Sequence, residues 1–172
     1  MNHSSIGAFA LAALLPLLFA CGDDDSSGPA TDFTATLSGA SEVPANTSTA
    51  TGNATLTING SQIDYTVNTN GLANPIFAHI HVAPAGQNGP VRLNLCGTGA
   101  PVPACGTGTG VLVTGSNGTT VGAPPMTFDQ LVAEMRAGNT YVNVHTDDGG
   151  GQPNTGPGDL IGGEIRGQIA AQ

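Results

Sequence analysis

From Phe33 onward, apolar residues return at every second position in one short run after another. Phe33, Ala35 and Leu37 keep this period, as do Ala54, Leu56 and Ile58, then Ile63, Tyr65 and Val67. Ile76, Ala78, Ile80 and Val82 follow, then Val91, Leu93 and Leu95. A period of two places one face of a strand in a core, which the 3.6-residue period of a helix does not do. Gly110–Thr114, Tyr141–Thr146 and Glu164–Ala170 extend the series. The turns between runs carry matching chemistry: Asn59-Gly60 as a two-residue hairpin, then Asn88-Gly89-Pro90 and Ser116-Asn117-Gly118. Seven or eight short strands with turn signals between them predict an all-β domain, a Greek-key-like β-sandwich or flattened barrel.

One helix interrupts the pattern, over about residues 127–137. Thr127-Phe-Asp-Gln130 matches a capping box, in which the threonine caps an amide and the glutamine reaches back. Phe128, Leu131, Val132 and Met135 fall on one face, and Gly138 suits the stop.

Two strands hold all the histidines beyond the first few residues. In Phe77-Ala-His-Ile-His-Val82 the imidazoles of His79 and His81 alternate with the apolar set, so they face away from the core. In Tyr141-Val-Asn-Val-His-Thr146, His145 likewise lies opposite Val142 and Val144. If these strands are neighbours, three neutral imidazoles converge on one point, a donor set that suits copper or zinc and leaves a position open. Asp147, Asp148 or loop carbonyls are candidates to orient the rings through their second nitrogens. Asp147–Gly163 is a long stretch of Gly, Pro, Asn and Asp, and loops of that length usually cover something. The same histidines could instead tie strands to that loop without a metal.

Charge excludes one class of function. The chain has three arginines, no lysine and a net charge of -9, so it carries no electrostatic footprint for nucleic acid or anionic headgroups.

The first thirty-two residues read as export and tether. Ile6–Ala20 is a nearly unbroken apolar run, too short for an ordinary membrane span and long enough for a signal-peptide core. Residues 1–20 are therefore expected to be a signal peptide. It ends in Leu18-Phe-Ala-Cys21, which resembles a bacterial lipobox, and that likeness implies an acylated Cys21 at the mature N-terminus. Residues 21–32 then form an acidic flexible tether, and 33–172 the folded domain. The n-region departs from the usual pattern in having no Lys or Arg. Two acyl chains, at ~0.8 kcal/mol per CH2, anchor a protein without a transmembrane helix. The expected location is the cell envelope, on the outer membrane at its periplasmic or surface face. In such a compartment Cys96 and Cys105, bracketing an eight-residue Gly/Pro-rich loop, are expected to pair as a disulfide.

Several landmarks now stand in order: Leu37-Ser-Gly-Ala-Ser-Glu-Val-Pro44, Ala78-His-Ile-His81 and Asn88-Gly-Pro90. Gly138-Asn-Thr-Tyr-Val-Asn-Val-His-Thr146 and Gly163-Glu-Ile-Arg-Gly-Gln168 complete the set. Together they resemble the CHRD domain, named after chordin and also found in bacterial envelope proteins, over Phe33–Gln168. The Gly/Thr-rich region from Cys96 to Pro125 departs from that pattern. A more distant likeness is to copper/zinc superoxide dismutase, which implies copper-ligand positions for His79, His81 and His145. No histidine matches its bridging position and no zinc-ligand set lies between His81 and His145, so dismutation is not expected.

Glu42 and Arg166 both fall in landmarks and are expected to form a bidentate structural ion pair joining the first loop to the last strand. No Gly-x-Ser-x-Gly elbow is present, the Gly106–Gly110 run precedes no helix, and no catalytic residue is assigned. The expected function is binding rather than turnover, with copper or zinc on the three histidines and a membrane held through Cys21. A metal-free structural or protein-interaction module of the envelope is the first alternative, and a copper-dependent redox enzyme the second.

Overall fold

The computed structural model describes Met1 and residues 28–98, 102–150 and 156–172. The expected signal peptide and acylated Cys21 lie outside the described residues. The elements in chain order are β1 (Asp32–Ser38), β2 (Thr51–Asn59), β3 (Gln62–Asn70), β4 (Pro75–Val82) and β5 (Val91–Cys96). They continue with β6 (Gly110–Asn117), α1 (Phe128–Arg136), β7 (Thr140–Thr146), β8 (Ile165–Gln168) and β9 (Ala170–Ala171). The strands form one antiparallel sheet in the order β5-β4-β7-β8-β1-β2-β3-β6, with β9 also beside β1. Its two ends nearly meet. Leu93 of β5 bridges to Thr120 just past β6, and the Asn117 amide donates to Asn94 O at 2.9 Å. Among the described residues the observed fold is the expected all-β flattened barrel with one short α-helix.

The alternation decides what fills it. Phe33, Leu37, Leu56, Ile63, Ile80, Leu95, Val142, Val144 and Ile165 are all buried in one core. Each such side chain contributes roughly 1.5–3 kcal/mol relative to an exposed position. The helix closes one side with Leu131 and Met135 inward. Both halves of the capping box form: Gln130 N donates to Thr127 Oγ1 at 3.2 Å, and Thr127 N to Gln130 Oε1 at 2.8 Å.

Cys96 and Cys105 are joined as a disulfide, nine positions apart. Closing a loop of that length removes ~2.5 kcal/mol of denatured-state freedom in the chain-entropy model. A Cys96→Ser/Cys105→Ser chain is therefore expected to lose about 2.5 kcal/mol of stability, measured by urea unfolding. A loss under about 0.5 kcal/mol would mean that the loop is held by its packing instead.

β7 differs from the other strands. Every residue from Thr140 to Thr146 is buried, on both faces. Val142 and Val144 face the core, so something else covers Tyr141, Asn143 and His145. That second, polar layer is the candidate site.

Candidate metal centre

Register brings the histidines together. β4 and β7 pair antiparallel with Phe77 opposite His145, His79 opposite Asn143 and His81 opposite Tyr141. On the far side of β7, Arg166 stands opposite Asn143 and Gln168 opposite Tyr141. One face of β4-β7-β8 is thus a grid of polar and aromatic groups, and the other face is core. Loops roof the grid, leaving His81 and His145 each 8 % exposed.

Each ring is oriented by a contact that decides its tautomer. The His81 Nδ1–H donates to Gly89 O at 2.9 Å, and the His145 Nδ1–H to Ile161 O at 2.8 Å. A carbonyl can only accept, so the proton sits on Nδ1 and the lone pair on Nε2 in both rings. His145 Nε2 lies 3.3 Å from His79 Nδ1, which must then donate to it. Nothing completes His81: its Nε2 is buried with no hydrogen-bond partner. One ring nitrogen from each of the three histidines lies within 4.8 Å of the others.

The cluster is also held uncharged. Burial pushes the His79 pKa down to about 3, helped by repulsion from His145 and His81. Burial likewise takes His81 to about 4, against the opposing pull of its Gly89 hydrogen bond. His145 is lowered by burial, with its Ile161 bond opposing. Neutral imidazole is the form that binds a metal ion. Three ring nitrogens within 4.8 Å of one another, that of His81 unpaired, fit a copper or zinc ion whose binding would replace the His79–His145 hydrogen bond, and a nitrogen set suits those metals.

The surrounding side chains hold this geometry. The Tyr141 ring stacks on His81 with centroids 4.8 Å apart and 15° between planes. The Arg166 guanidinium covers the other part of that stack, 3.7 Å from the Tyr141 centroid. It also donates to Asn88 Oδ1 at 2.9 Å and Gln87 O at 2.7 Å, fixing the turn that presents the Gly89 carbonyl. Gly89 N donates to the Tyr141 hydroxyl at 3.1 Å. A side chain at Gly89 would overlap the Val82 carbonyl, so only glycine lets the turn lie this close to β4. On the other side Glu164, fully buried, accepts from Ser48 Oγ and Thr146 Oγ1, each at 2.6 Å, and from Gly158 N at 2.7 Å. Those three bonds position the loop that carries Ile161.

One expectation changes, and one set of alternatives is decided. The bidentate Glu42–Arg166 pair is not formed: the guanidinium donates to Asn88 and Gln87, and Glu42 Oε1 is buried without a hydrogen-bond partner. The two residues are near enough for Arg166 to draw the Glu42 pKa down, but burial outweighs it and leaves that pKa at about 7. A guanidinium committed to a turn and a ring face has no fork left for a carboxylate. The carboxylates of Asp147 and Asp148 do not orient the rings. They accept from Gly149 N and Gly150 N within their own loop, and loop carbonyls serve the histidines instead. With Asp159 they make an acidic group whose oxygens lie within 4.8 Å of one another. Reasoning from sequence passed over Asn143, Tyr141 and Gln168, although alternation in β7 places the first two on the His145 face.

An almost closed antiparallel barrel with a three-histidine cluster under its loops defines a small β domain bearing a candidate metal centre. The model of the CHRD domain matches residues 33–153, and the chain belongs to the CHRD domain family. No curated protein and no solved structure matches it. The match stops short of Gly163–Gln168, yet β8 from that stretch pairs with β7 and completes the sheet.

Proposed function

We propose that this CHRD-domain protein is exported, is held at the cell envelope by lipid on Cys21, and binds one copper or zinc ion through His79, His81 and His145. The observation that carries the metal is the unpaired His81 Nε2. It is buried, its tautomer is set by Gly89 O, and it lies in a cluster whose ring nitrogens converge within 4.8 Å. A metal-free arrangement satisfies His79 and His145 through their mutual hydrogen bond and leaves His81 Nε2 buried at a cost of roughly 1–3 kcal/mol. An ion replaces that deficit with a bond. Three protein nitrogens leave a further coordination position for water or a small ligand, which favours binding or carriage. No described helix is long and apolar enough to cross a membrane, so the anchor rests on the lipobox-like end of the apolar run.

The test is metal analysis of the chain purified without chelator and dialysed against micromolar copper or zinc. One equivalent per chain is expected, and no stoichiometric metal on a folded chain would refute the site. Incorporation of labelled palmitate that disappears in Cys21→Ser tests the anchor separately.

Arg166 supports the site without touching it. Arg166→Ala frees the Gln87–Asn88 turn and uncovers Tyr141, so His81 loses its fixed orientation. Metal affinity is expected to fall about 10–100-fold, the usual effect of removing a group that orients a ligand. Unchanged affinity in competition with a chromophoric chelator would show that the turn holds itself.

A further inference from the structure

His79 is held differently from the other two rings of the cluster. His81 and His145 each donate to a loop carbonyl, Gly89 O and Ile161 O. Among the described residues no carbonyl takes the His79 ring, and its hydrogen bond runs to His145 Nε2. That bond is the one an ion would replace. The terminal torsion of a histidine is broad, so a ring released from its hydrogen bond needs another constraint to keep a nitrogen on the ion. Phe77 provides it. Two places earlier on β4 and on the same face, its ring stacks on that of His79, with centroids 5.6 Å apart and 20° between planes. His81 and His145 meet the same ring at steeper tilts of 59° and 55°.

Phe77 is held in turn. Cys96, at the end of β5, stands opposite Ala78, and the next residue, Gly97, is buried with its backbone against the Phe77 ring. A side chain at Gly97 would overlap Phe77 Cδ1 and stand 2.9 Å from Cε1, so this close approach needs glycine. Gly97 N donates to Pro103 O at 2.9 Å, and the Cys96–Cys105 disulfide closes the same loop. A chain of contacts thus runs from the disulfide through Gly97 and Phe77 to His79. We infer that Phe77 is the positioning residue of His79, and that the disulfide-closed loop, bearing on Phe77 through Gly97, fixes the metal centre as well as stabilising the fold. This role presupposes the three-histidine site proposed above.

The test measures zinc affinity of the full chain by competition with a chromophoric chelator, and His79 ring-proton shifts in the metal-free chain. Phe77→Tyr keeps the flat ring face and is expected to bind zinc within about threefold of the wild type. Phe77→Leu keeps apolar bulk without that face and is expected to bind about 10–100-fold more weakly, as when a group that orients a ligand is removed. Two further variants, each folded by circular dichroism, keep Phe77 and disturb only what holds it. Cys96→Ser/Cys105→Ser opens the loop, and Gly97→Ala leaves the disulfide intact but displaces the ring. Both are expected to weaken zinc binding about tenfold and to move the His79 ring-proton shifts. Zinc binding by Phe77→Leu as tight as by the wild type would overturn the positioning role. Unchanged affinity and unchanged His79 shifts in both loop variants would overturn the link to the disulfide. A folded wild type that takes up no zinc would refute the proposed function instead, and the metal-free shifts of the two loop variants would still decide whether the loop places His79.

Discussion

Zinc at a hundredfold excess over its dissociation constant raises the thermal midpoint of the wild-type chain by about 8–10 °C, and that of His81→Ala by less than about 1 °C. The first figure follows from linkage: a ligand at that excess, bound only to the folded chain, stabilises it by about 2.7 kcal/mol. The second follows from the site. His81 supplies the one ring nitrogen that is buried and unpaired, and without it His79 and His145 keep a hydrogen bond of 3.3 Å between themselves. Two imidazoles already paired to each other are a poor trap for an ion. Removing a buried ring stacked on Tyr141 also costs stability of its own, about 2–3 kcal/mol by analogy with other large-to-small changes. Each variant is therefore compared with its own metal-free midpoint in calorimetry. A His81→Ala chain that gains as much as the wild type would place the ion elsewhere.

Acidification from pH 7 to pH 4 is expected to destabilise the metal-free chain by about 2–3 kcal/mol. The ordinary histidine pKa is 6.5, and burial lowers His79 to about 3 and His81 to about 4 in the folded chain. Between those values the unfolded chain binds protons that the folded one refuses. The stability associated with both rings is thus fully present above pH 6.5 and is lost as pH falls toward 4 and 3. Glu42 runs the other way. Its pKa is raised by burial from 4.5 to about 7, so the folded chain binds the extra proton in that window and loses stability as pH rises through it. Two depressed histidines, with His145 shifted in the same direction, outweigh one raised carboxyl. Glu42→Gln removes the opposing effect, so it is expected to stabilise the chain at pH 8 and to steepen the loss on the acid side. Urea midpoints measured at intervals between pH 4 and pH 8 check both slopes. Stability that is flat or rises on acidification would mean that the rings titrate freely.

Much of this was legible in the chain because strand alternation is a local property. Ile76, Ala78, Ile80 and Val82 place His79 and His81 on the far face whatever the rest of the fold does. Thr127 and Gln130 mark the helix start with side chains three residues apart, and both bonds form. The pairing of Cys96 with Cys105 was expected from their spacing around a short Gly/Pro-rich loop, and it too is formed. What could not be read locally was register across strands and the aim of long side chains. Nothing near Arg166 says that its fork meets Asn88, 78 positions away, rather than Glu42. The carbonyls of Gly89 and Ile161 carry no side-chain signature at all. They became visible only once the turn and the loop were folded over β4 and β7.

The measurement that bears most directly on the metal site is X-ray absorption on the zinc-loaded or copper-loaded wild-type chain. Three imidazole nitrogen neighbours at about 2.0–2.1 Å are expected, and His81→Ala, which holds the ion poorly, is expected to lose that shell. A shell of oxygens alone, or one unchanged in that variant, would contradict the three-histidine site and leave the polar grid on β4, β7 and β8 as scaffold.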